Sequence, residues 1–405
     1  MKSKMKPKVS IVIPVYNGTN YMKDAIDSAL NQTYENCEVI VVNDGSVDRG
    51  ATALTAKSYG DRIRYFEKEN GGVATAVNLG IQKMTGDYFA WLSHDDMFVP
   101  NKIEKQIRAA EEAGISNAIV HSNFTFWYVE DDRHVHVDWL QQYHRAQLEN
   151  SCFAPVFLAV HGSTVLIHRS HFERVGLYDT KLRATQDSEF LFRVMRGQKS
   201  VFVSDSLMVS RIHKEQGQQT MSCHSREYNE MFISFCETLS DKDKEELCGS
   251  VKNFYYRLYL LLKYSRPAND ILDYLKEKLC GLQSSNEEAY GSKILEKWFK
   301  KNLREIYLFG AGQMGLETEL TLASYRIDIC GFVDNAKEKQ GTQIHGKPCY
   351  SPEYLRGRRD ILVIVSMMNP DDVVCQLKAI DVENIILIGE LKKALFFVEP
   401  KTLLY

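Results

Sequence analysis

Gly86-Asp87-Tyr88-Phe89-Ala90-Trp91-Leu92-Ser93-His94-Asp95-Asp96 joins an apolar run to two adjacent carboxylates. The middle of the run reads as a buried strand, and the carboxylates fall where that strand ends. Open α/β sheets bind ligands at this carboxyl edge. Neighbouring anions repel each other there unless a cation is shared. An oxygen-held divalent ion with substrate phosphates in its other positions is what Mg²⁺ or Mn²⁺ favours. The stretch therefore points to an α/β fold that handles a nucleotide diphosphate.

The residues on either side extend the pattern. Val9-Ser10-Ile11-Val12-Ile13-Pro14 is β-branched and ends at proline, as a buried parallel strand does. Residues 20–30 follow as a helix, with Ala25, Ile26, Ala29 and Leu30 on its apolar side. Glu38 to Asp44 is a second strand, residues 62–67 a third, Val73 to Met84 a helix, and Tyr88 to Leu92 a fourth strand. Strand–helix alternation at this spacing predicts βαβ units and a parallel sheet. From about residue 117 the pattern shifts to shorter strands and loops, with a helix over residues 188–196. Residues 223–300 read as all-helical, and Phe254, Tyr255, Leu258, Tyr259, Leu261 and Leu262 form one strongly apolar segment. Strands at 305–309, 327–333 and 361–366 and a helix at 314–325 then open a second α/β pattern. The expected organisation is a nucleotide-sugar domain over 1–222, a helical connector over 223–300 and a Rossmann-like domain over 301–405.

Bulk properties narrow the class. A chain of 405 residues is too long for one typical core. Its 44% hydrophobic and 25% charged content is that of an ordinary globular protein. A formal charge of -3 gives no reason to expect nucleic acid. Lys2, Lys4, Lys6 and Lys8 form a small basic arm, read as a solvated tail or a weak contact to anionic lipid. The nine cysteines are scattered without a Cys-x-x-Cys pair, which favours reduced thiols over zinc or a disulfide framework. No run approaches the ~20 apolar residues of a membrane span, and no secretory signal is visible. The expected location is a cytosol, with the cytoplasmic face of a membrane as one setting and a homo-oligomer as one state.

Taken in order, Val9–Asn17, Val41-Val42-Asn43-Asp44-Gly45-Ser46, Asn70-Gly71-Gly72, Asn78-Leu79-Gly80, Gly86-Asp87-Tyr88, Ser93–Asp96, Gly162-Ser163-Thr164, Gly176-Leu177-Tyr178-Asp179 and Gln186–Arg193 resemble the family-2 glycosyltransferases. These are inverting enzymes of GT-A fold, and the resemblance covers roughly residues 8 to 220. It implies transfer of a sugar from a UDP-sugar to a hydroxyl of a glycan or lipid-linked acceptor, in cell-surface polysaccharide synthesis. Such a transfer requires the leaving diphosphate to be neutralised and the acceptor hydroxyl made nucleophilic. The resemblance implies Asp96 as direct metal ligand, with His213 completing the shell of Mn²⁺ or Mg²⁺, and Asp95 touching metal or ribose. It implies Asp187 as general base, with an N-cap for the following helix as the plainer role. Asp44 is expected on uracil or ribose, or simply in an Asp-Gly turn, and Tyr16 stacked on the base. Pro14, Asn17, Asn70, Gly71 and Asn78 complete the donor site. Arg211 is a weaker phosphate candidate, His94 an orienting or exposed residue, and Trp127, Trp139 and Tyr143 candidates for the acceptor side. Three positions depart from the family pattern: Ser93 and Gln186 replace carboxylates, and Val77 stands where a basic donor contact is common.

Near the other end, Gly310-x-Gly312-x-x-Gly315 follows a strand and opens a helix, with Asp334 about 20 residues on, which is the context of a dinucleotide fingerprint. Residues 331–335 and Gly346-Lys347-Pro348 instead resemble small Rossmann-like domains on sugar-modifying enzymes, which need not bind NAD. This leaves a second nucleotide site or an assembly role open. Rival functions are an NAD(P)-dependent sugar-nucleotide oxidoreductase or epimerase centred here, a sugar nucleotidyltransferase, and a non-catalytic sugar-nucleotide scaffold. The first lacks a Tyr-x-x-x-Lys pair. The second lacks a glycine- and arginine-rich loop after the first strand. The third sits poorly with the four retained aspartates.

Overall fold

The computed structural model describes residues 6–214, 223–263, 269–282, 298, 305–324, 327–367 and 370–391. The chain divides into two compact units, Met1–Cys280 and Gly281–Tyr405.

The first unit begins with β1 (Val9–Val15), α1 (Met22–Leu30), β2 (Cys37–Asn43), α2 (Ala51–Lys57), β3 (Arg64–Glu67), α3 (Val73–Lys83) and β4 (Tyr88–Trp91). Strands β3, β2, β1 and β4 lie side by side in that order, all parallel. Their alternating side chains feed two cores, as period-2 geometry requires. Ile11, Ile13 and Val15 meet Met22, Ala25 and Ile26 of α1 on one face. Val12 meets Ala74, Val77 and Ile81 of α3 on the other. The packing of α3 is close enough that a Cβ on Gly80 would lie 2.3 Å from Val12 Cγ1. Val77, which departs from the basic residue common at this position in the family pattern, is fully buried in this core.

The sheet continues through β5 (Met97–Phe98), α4 (Lys102–Glu112), β6 (Ile119–Tyr128), β7 (Arg133–Val137), α5 (Arg145–Leu148), α6 (Phe153–Val156), β8 (Leu166–His168), α7 (Ser170–Val175), α8 (Gln186–Met195) and β9 (Val201–Ile212). The order runs on from β4 as β8-β6-β9-β5, with β7 paired to β6. Here the expectation of short strands is corrected, because β6 has 10 residues and β9 has 12. The polar run His121-Ser122-Asn123 breaks the apolar pattern of β6, yet all three are buried. Asn123 Nδ2 donates to Ser204 O at 2.8 Å, and His121 Nε2 lies 3.1 Å from Leu148 O.

Helices α9 (His224–Thr238), α10 (Asp241–Cys248), α11 (Val251–Leu262) and α12 (Asn269–Gly281) follow. The expected separate connector over 223–300 does not stand apart, since these helices count with the first unit. Aromatic packing explains it. Phe235 of α9 stacks on Phe192 of α8 at 4.1 Å, and Phe254 of α11 meets Phe157 edge-on at 6.0 Å. Most of the connector beyond 282 lies outside the described residues. Among those described, no helix is long and apolar enough to cross a membrane. None of the nine cysteines is in a disulfide.

The second unit holds β10 (Glu305–Phe309), α13 (Gln313–Ser324), β11 (Gly331–Val333), β12 (Gln343–Ile344), β13 (Lys347–Tyr350), β14 (Ile361–Val365), α14 (Asp371–Ala379) and β15 (Ile385–Leu387). Its strand order is β12-β13-β11-β10-β14-β15, parallel except for the β12–β13 hairpin. Leu322 of α13 packs with Leu308 and Phe332, while Val373 and Leu377 of α14 pack with Phe309 and Val363. The alternation puts these helices on opposite faces, as in a doubly wound sheet. The strand expected over 327–333 is shorter, covering only Gly331–Val333.

At the amino edge of the first sheet, Glu38 ties distant segments together. It accepts from Ser10 Oγ, Thr85 N and Oγ1, and Arg64 Nη1. Lys8, part of the expected basic arm, is bound here to Glu38 and Thr85 and is no free tail, whereas Lys2 and Lys4 lie outside the described residues. Burial alone would raise the Glu38 pKa, but these hydrogen bonds outweigh it and hold the pKa at about 2. A depressed carboxyl contributes stability above its unfolded pKa and loses it as pH falls through the folded one. Glu38→Gln is expected to cost about 1–3 kcal/mol at neutral pH. Urea unfolding should show the gap to wild type closing as pH drops from about 4.5 toward 2; a pH-independent gap would contradict this account.

Candidate functional site

The carboxyl end of β4, strands β6 and β9 and the start of α8 border a cleft of about 570 Å³ whose walls include Trp91, Ser93, Asp95, Asp96, Trp139, His161, Arg183 and Asp187. Asp95 and Asp96 part company there. Asp96 turns inward, 3% exposed, where Oδ1 accepts from Arg211 N at 3.1 Å and Ser163 Oγ lies 3.4 Å from Oδ2. Burial, then the charge of Asp95, pushes its pKa well up. Asp95 Oδ2 instead lies 3.1 Å from His213 Nε2. Burial would raise Asp95, but the His213 contact and the nearby His94 ring keep it below the ordinary range. The expected pairing of Asp96 with His213 is thus replaced by Asp95 with His213, and Asp96 fastens β4 to β9 behind them.

One carboxylate oxygen and one imidazole nitrogen at that spacing form a donor set that suits Mn²⁺ or Mg²⁺ only if a ligand supplies more oxygens. Among the described residues no group of three or more His, Cys, Asp or Glu is placed to hold a metal unaided. The residues therefore fit a metal that arrives with a diphosphate.

Asp187 sits in the first turn of α8. Its Oδ1 accepts from Ser188 N at 2.8 Å, which leaves Oδ2 for a ligand. A Cβ on Gly162 would come to 3.5 Å of that oxygen. His161 lines the same wall, its ring tilted against Phe124 at 5.1 Å, with Nδ1 accepting from Ser163 N at 3.2 Å. Burial lowers its pKa, with Asp187 and Asp95 opposing. Gln186 is buried beside Asp187.

The donor-site expectations divide. Tyr16 is 43% exposed just past β1, so its ring is available for stacking. Pro14 is buried in register with Val42. Asn17 has φ 50°, donates from N to Ser46 Oγ and accepts from Val47 N, both at 2.9 Å, and so orders the neighbouring loop. Asp44 is 3% exposed; it pairs with Lys68 Nζ at 2.6 Å and accepts from Gly71 N at 3.1 Å and Gly72 N at 2.8 Å. Asn70 Nδ2 donates to Asp44 O at 2.9 Å. Asp44 thus shapes the 70–72 loop with most of its acceptor capacity. Asn78 is placed elsewhere, with Nδ2 donating to Tyr178 O at 2.8 Å and Oδ1 accepting from Tyr178 N at 3.0 Å. That clamp on a backbone 100 residues away uses both its polar atoms.

Of the other candidates, Arg211, Trp127, Tyr143 and His94 do not line the cleft. Arg211 is 2% exposed, paired with Asp24 and held over the rings of Tyr21 and Trp127, so it is not directed at phosphate. Trp127 stacks on His134 at 5.5 Å, and Tyr143 packs edge-on to Phe153 at 5.3 Å. Of the three acceptor-side aromatics, Trp139 lines the cleft. His94 packs where a Cβ on Gly18 would lie 2.7 Å from its ring.

With this geometry in view, known proteins place the chain. Residues 10–176 match the model of glycosyl transferase family 2. An uncharacterized glycosyltransferase, RP339 of Rickettsia prowazekii, is 36% identical over 78% of this chain and 94% of its own length. The chain belongs to glycosyltransferase family 2. A further uncharacterized glycosyltransferase, from Rickettsia bellii, is 42% identical over 62% of this chain. The match spans 36% of that relative and 44% of its Rickettsia felis counterpart. Among solved structures, residues 1–349 of Staphylococcus aureus TarS with UDP-GlcNAc align at TM-score 0.48 and 14% identity, over 69% of this chain and 93% of that one, a likeness too distant to argue from.

In the second unit, Gly310 and Gly315 allow a close turn: a Cβ on Gly315 would lie 1.8 Å from Gly310 O, and Gly312 has open space. Asp334, however, accepts from Ala311 N at 2.8 Å and Ala336 N at 2.9 Å and pairs with Lys339 at 3.1 Å. The carboxylate that a dinucleotide ribose would need is already engaged.

Two site residues carried no motif. Glu227 of α9, 5% exposed, accepts from Arg183 N, Ala184 N and Thr185 N at 3.0, 2.8 and 3.3 Å. Arg183 in turn reaches Gly71 O at 2.6 Å. The approach to Asp187 is therefore gripped from outside the matched family region. Glu227→Gln, which leaves one acceptor oxygen for three donors, is expected to cost about 1–3 kcal/mol in urea unfolding. Unchanged stability would show that those N–H groups find other partners.

Proposed function

We propose that the chain transfers a sugar from a nucleoside-diphosphate sugar, with UDP as carrier, to an acceptor hydroxyl with inversion. The observation that carries this reading is one cleft lined by both Asp95, whose carboxylate meets His213, and Asp187. A divalent ion bound there with the donor would offset the charge that develops on the leaving diphosphate. Asp95 and His213 would hold that ion, and Tyr16 would stack on the base. Asp187 Oδ2 takes the proton of the acceptor hydroxyl as its oxygen bonds to the anomeric carbon. The carbon–oxygen bond to the diphosphate breaks, and its electron pair leaves with the phosphate oxygen. One carboxylate is sufficient for such a displacement, since no covalent intermediate has to form. Trp139 and the Phe124–His161 wall supply apolar surface against which an acceptor ring can rest. Following the family resemblance, we assign a glycan or lipid-linked acceptor and a place in cell-surface polysaccharide assembly, at the cytoplasmic face of a membrane. The second unit would serve assembly or docking, because its fingerprint carboxylate is engaged.

In a thermal-shift panel of UDP, GDP, CDP and NAD⁺, UDP with Mn²⁺ is expected to stabilise by about 2.7 kcal/mol at ~100 times its dissociation constant. Chelator should remove the effect, and so should Asp95→Asn. Stabilisation by NAD⁺ alone would overturn the reading. With a UDP-sugar that turns over, Asp187→Asn should lower transfer about 10²- to 10⁴-fold while UDP affinity holds. Near-normal turnover would remove Asp187 as the base.

A further inference from the structure

We propose that Arg183 is a donor-binding residue that contacts the β-phosphate of the nucleoside diphosphate and supplies the positive charge that Val77 cannot. The inference rests on the proposed nucleotide-diphosphate donor. Val77 is sealed in the core between α3 and the sheet and offers a ligand neither charge nor contact. Other cations near the carboxyl edge are already neutralised: Lys68 by Asp44, Arg211 by Asp24, and Lys214 by Glu130. Arg183 lines the cleft with Asp95 and Asp187, and among the described residues its guanidinium meets a backbone carbonyl and no carboxylate.

Its placement is built. Glu227 fixes the backbone of residues 183–185 through their three N–H groups. At the far end, Nη1 donates to Gly71 O at 2.6 Å. The guanidinium crosses the 70–72 loop so closely that a Cβ on Gly72 would lie 2.2 Å from Nη1. Gly72 has φ +90°, so glycine there serves both the backbone and the arginine. With Nη1 bound to the carbonyl, Nε and Nη2 remain for phosphate oxygens, and a planar fork suits that geometry better than an ammonium. The contact strengthens as charge moves onto the leaving group, so Arg183 would assist departure as well as binding.

Calorimetric titration of UDP, UMP and uridine with Mn²⁺ into wild type, Arg183→Ala and Arg183→Lys tests this. Arg183→Ala should weaken UDP about 10- to 100-fold while UMP and uridine stay within about twofold, because only UDP carries the β-phosphate. Arg183→Lys should recover part of the loss, since charge returns without the fork. UDP affinity within about twofold of wild type in Arg183→Ala would overturn the inference and leave the proposed donor standing. Equal losses for all three ligands would also overturn it, by showing a structural role. If wild type itself fails to bind UDP, the donor reading falls, and this inference with it.

Discussion

Inward-turned carboxylates that accept backbone N–H groups hold this molecule's working parts in place. Removing a carboxylate from water is costly, and hydrogen bonds to its charged form offset that cost. Asp44 crosses from the end of β2 to Gly71 and Gly72, and Asp96 crosses from the end of β4 to Arg211 on β9. Glu227 reaches from α9 to residues 183–185, and Asp334 holds the glycine turn of the second unit. Each joins segments far apart in sequence. Loops that would otherwise move independently of the sheets are tied to them, and a ligand finds them already placed.

The same interaction divides labour among the aspartates. Asp44, Asp96 and Asp334 have most of their acceptor capacity in internal hydrogen bonds. Asp95 and Asp187 keep oxygens toward the cleft, and both lie next to groups suited to chemistry: an imidazole for one, the approach to a helix for the other. A carboxylate that builds a loop and one that meets a substrate look alike in a sequence. Only the direction in which each oxygen points separates them.

That explains how far reading the chain could go. The parallel strands were legible because β-branched apolar runs buried on both faces have few other solutions, and Glu305–Phe309 matches its observed strand throughout. The carboxylate pair was legible as following a buried strand, since it comes after the apolar run of β4. Which member faces outward was not, because neighbouring residues at a strand end point opposite ways, and here the Ser93–Asp96 turn decides. Strand β6 was misjudged where buried polar residues interrupt its pattern. Asn78, Arg211 and Glu227 find partners 100, 187 and more than 40 residues away, which no local spacing announces.

Glu227 also bears on why two opposite charges four residues apart stay separate. Arg183 and Asp187 flank the start of α8, and no ion pair joins them among the described residues. In a partly buried cleft a mutual salt bridge would be attractive and would occupy the groups proposed here to meet donor and acceptor. The Glu227 grip fixes the backbone between them, and Gly71 O draws the guanidinium over the 70–72 loop. Asp187 Oδ1 accepts from the Ser188 N–H. The charges are thus presented at separate points of one cleft, cation toward the loop and anion toward the helix. Glycosyl transfer needs that polarity, because negative charge leaves with the phosphate while a proton leaves the acceptor. Glu227, by fixing the backbone between them, therefore helps keep the two halves of the proposed reaction apart.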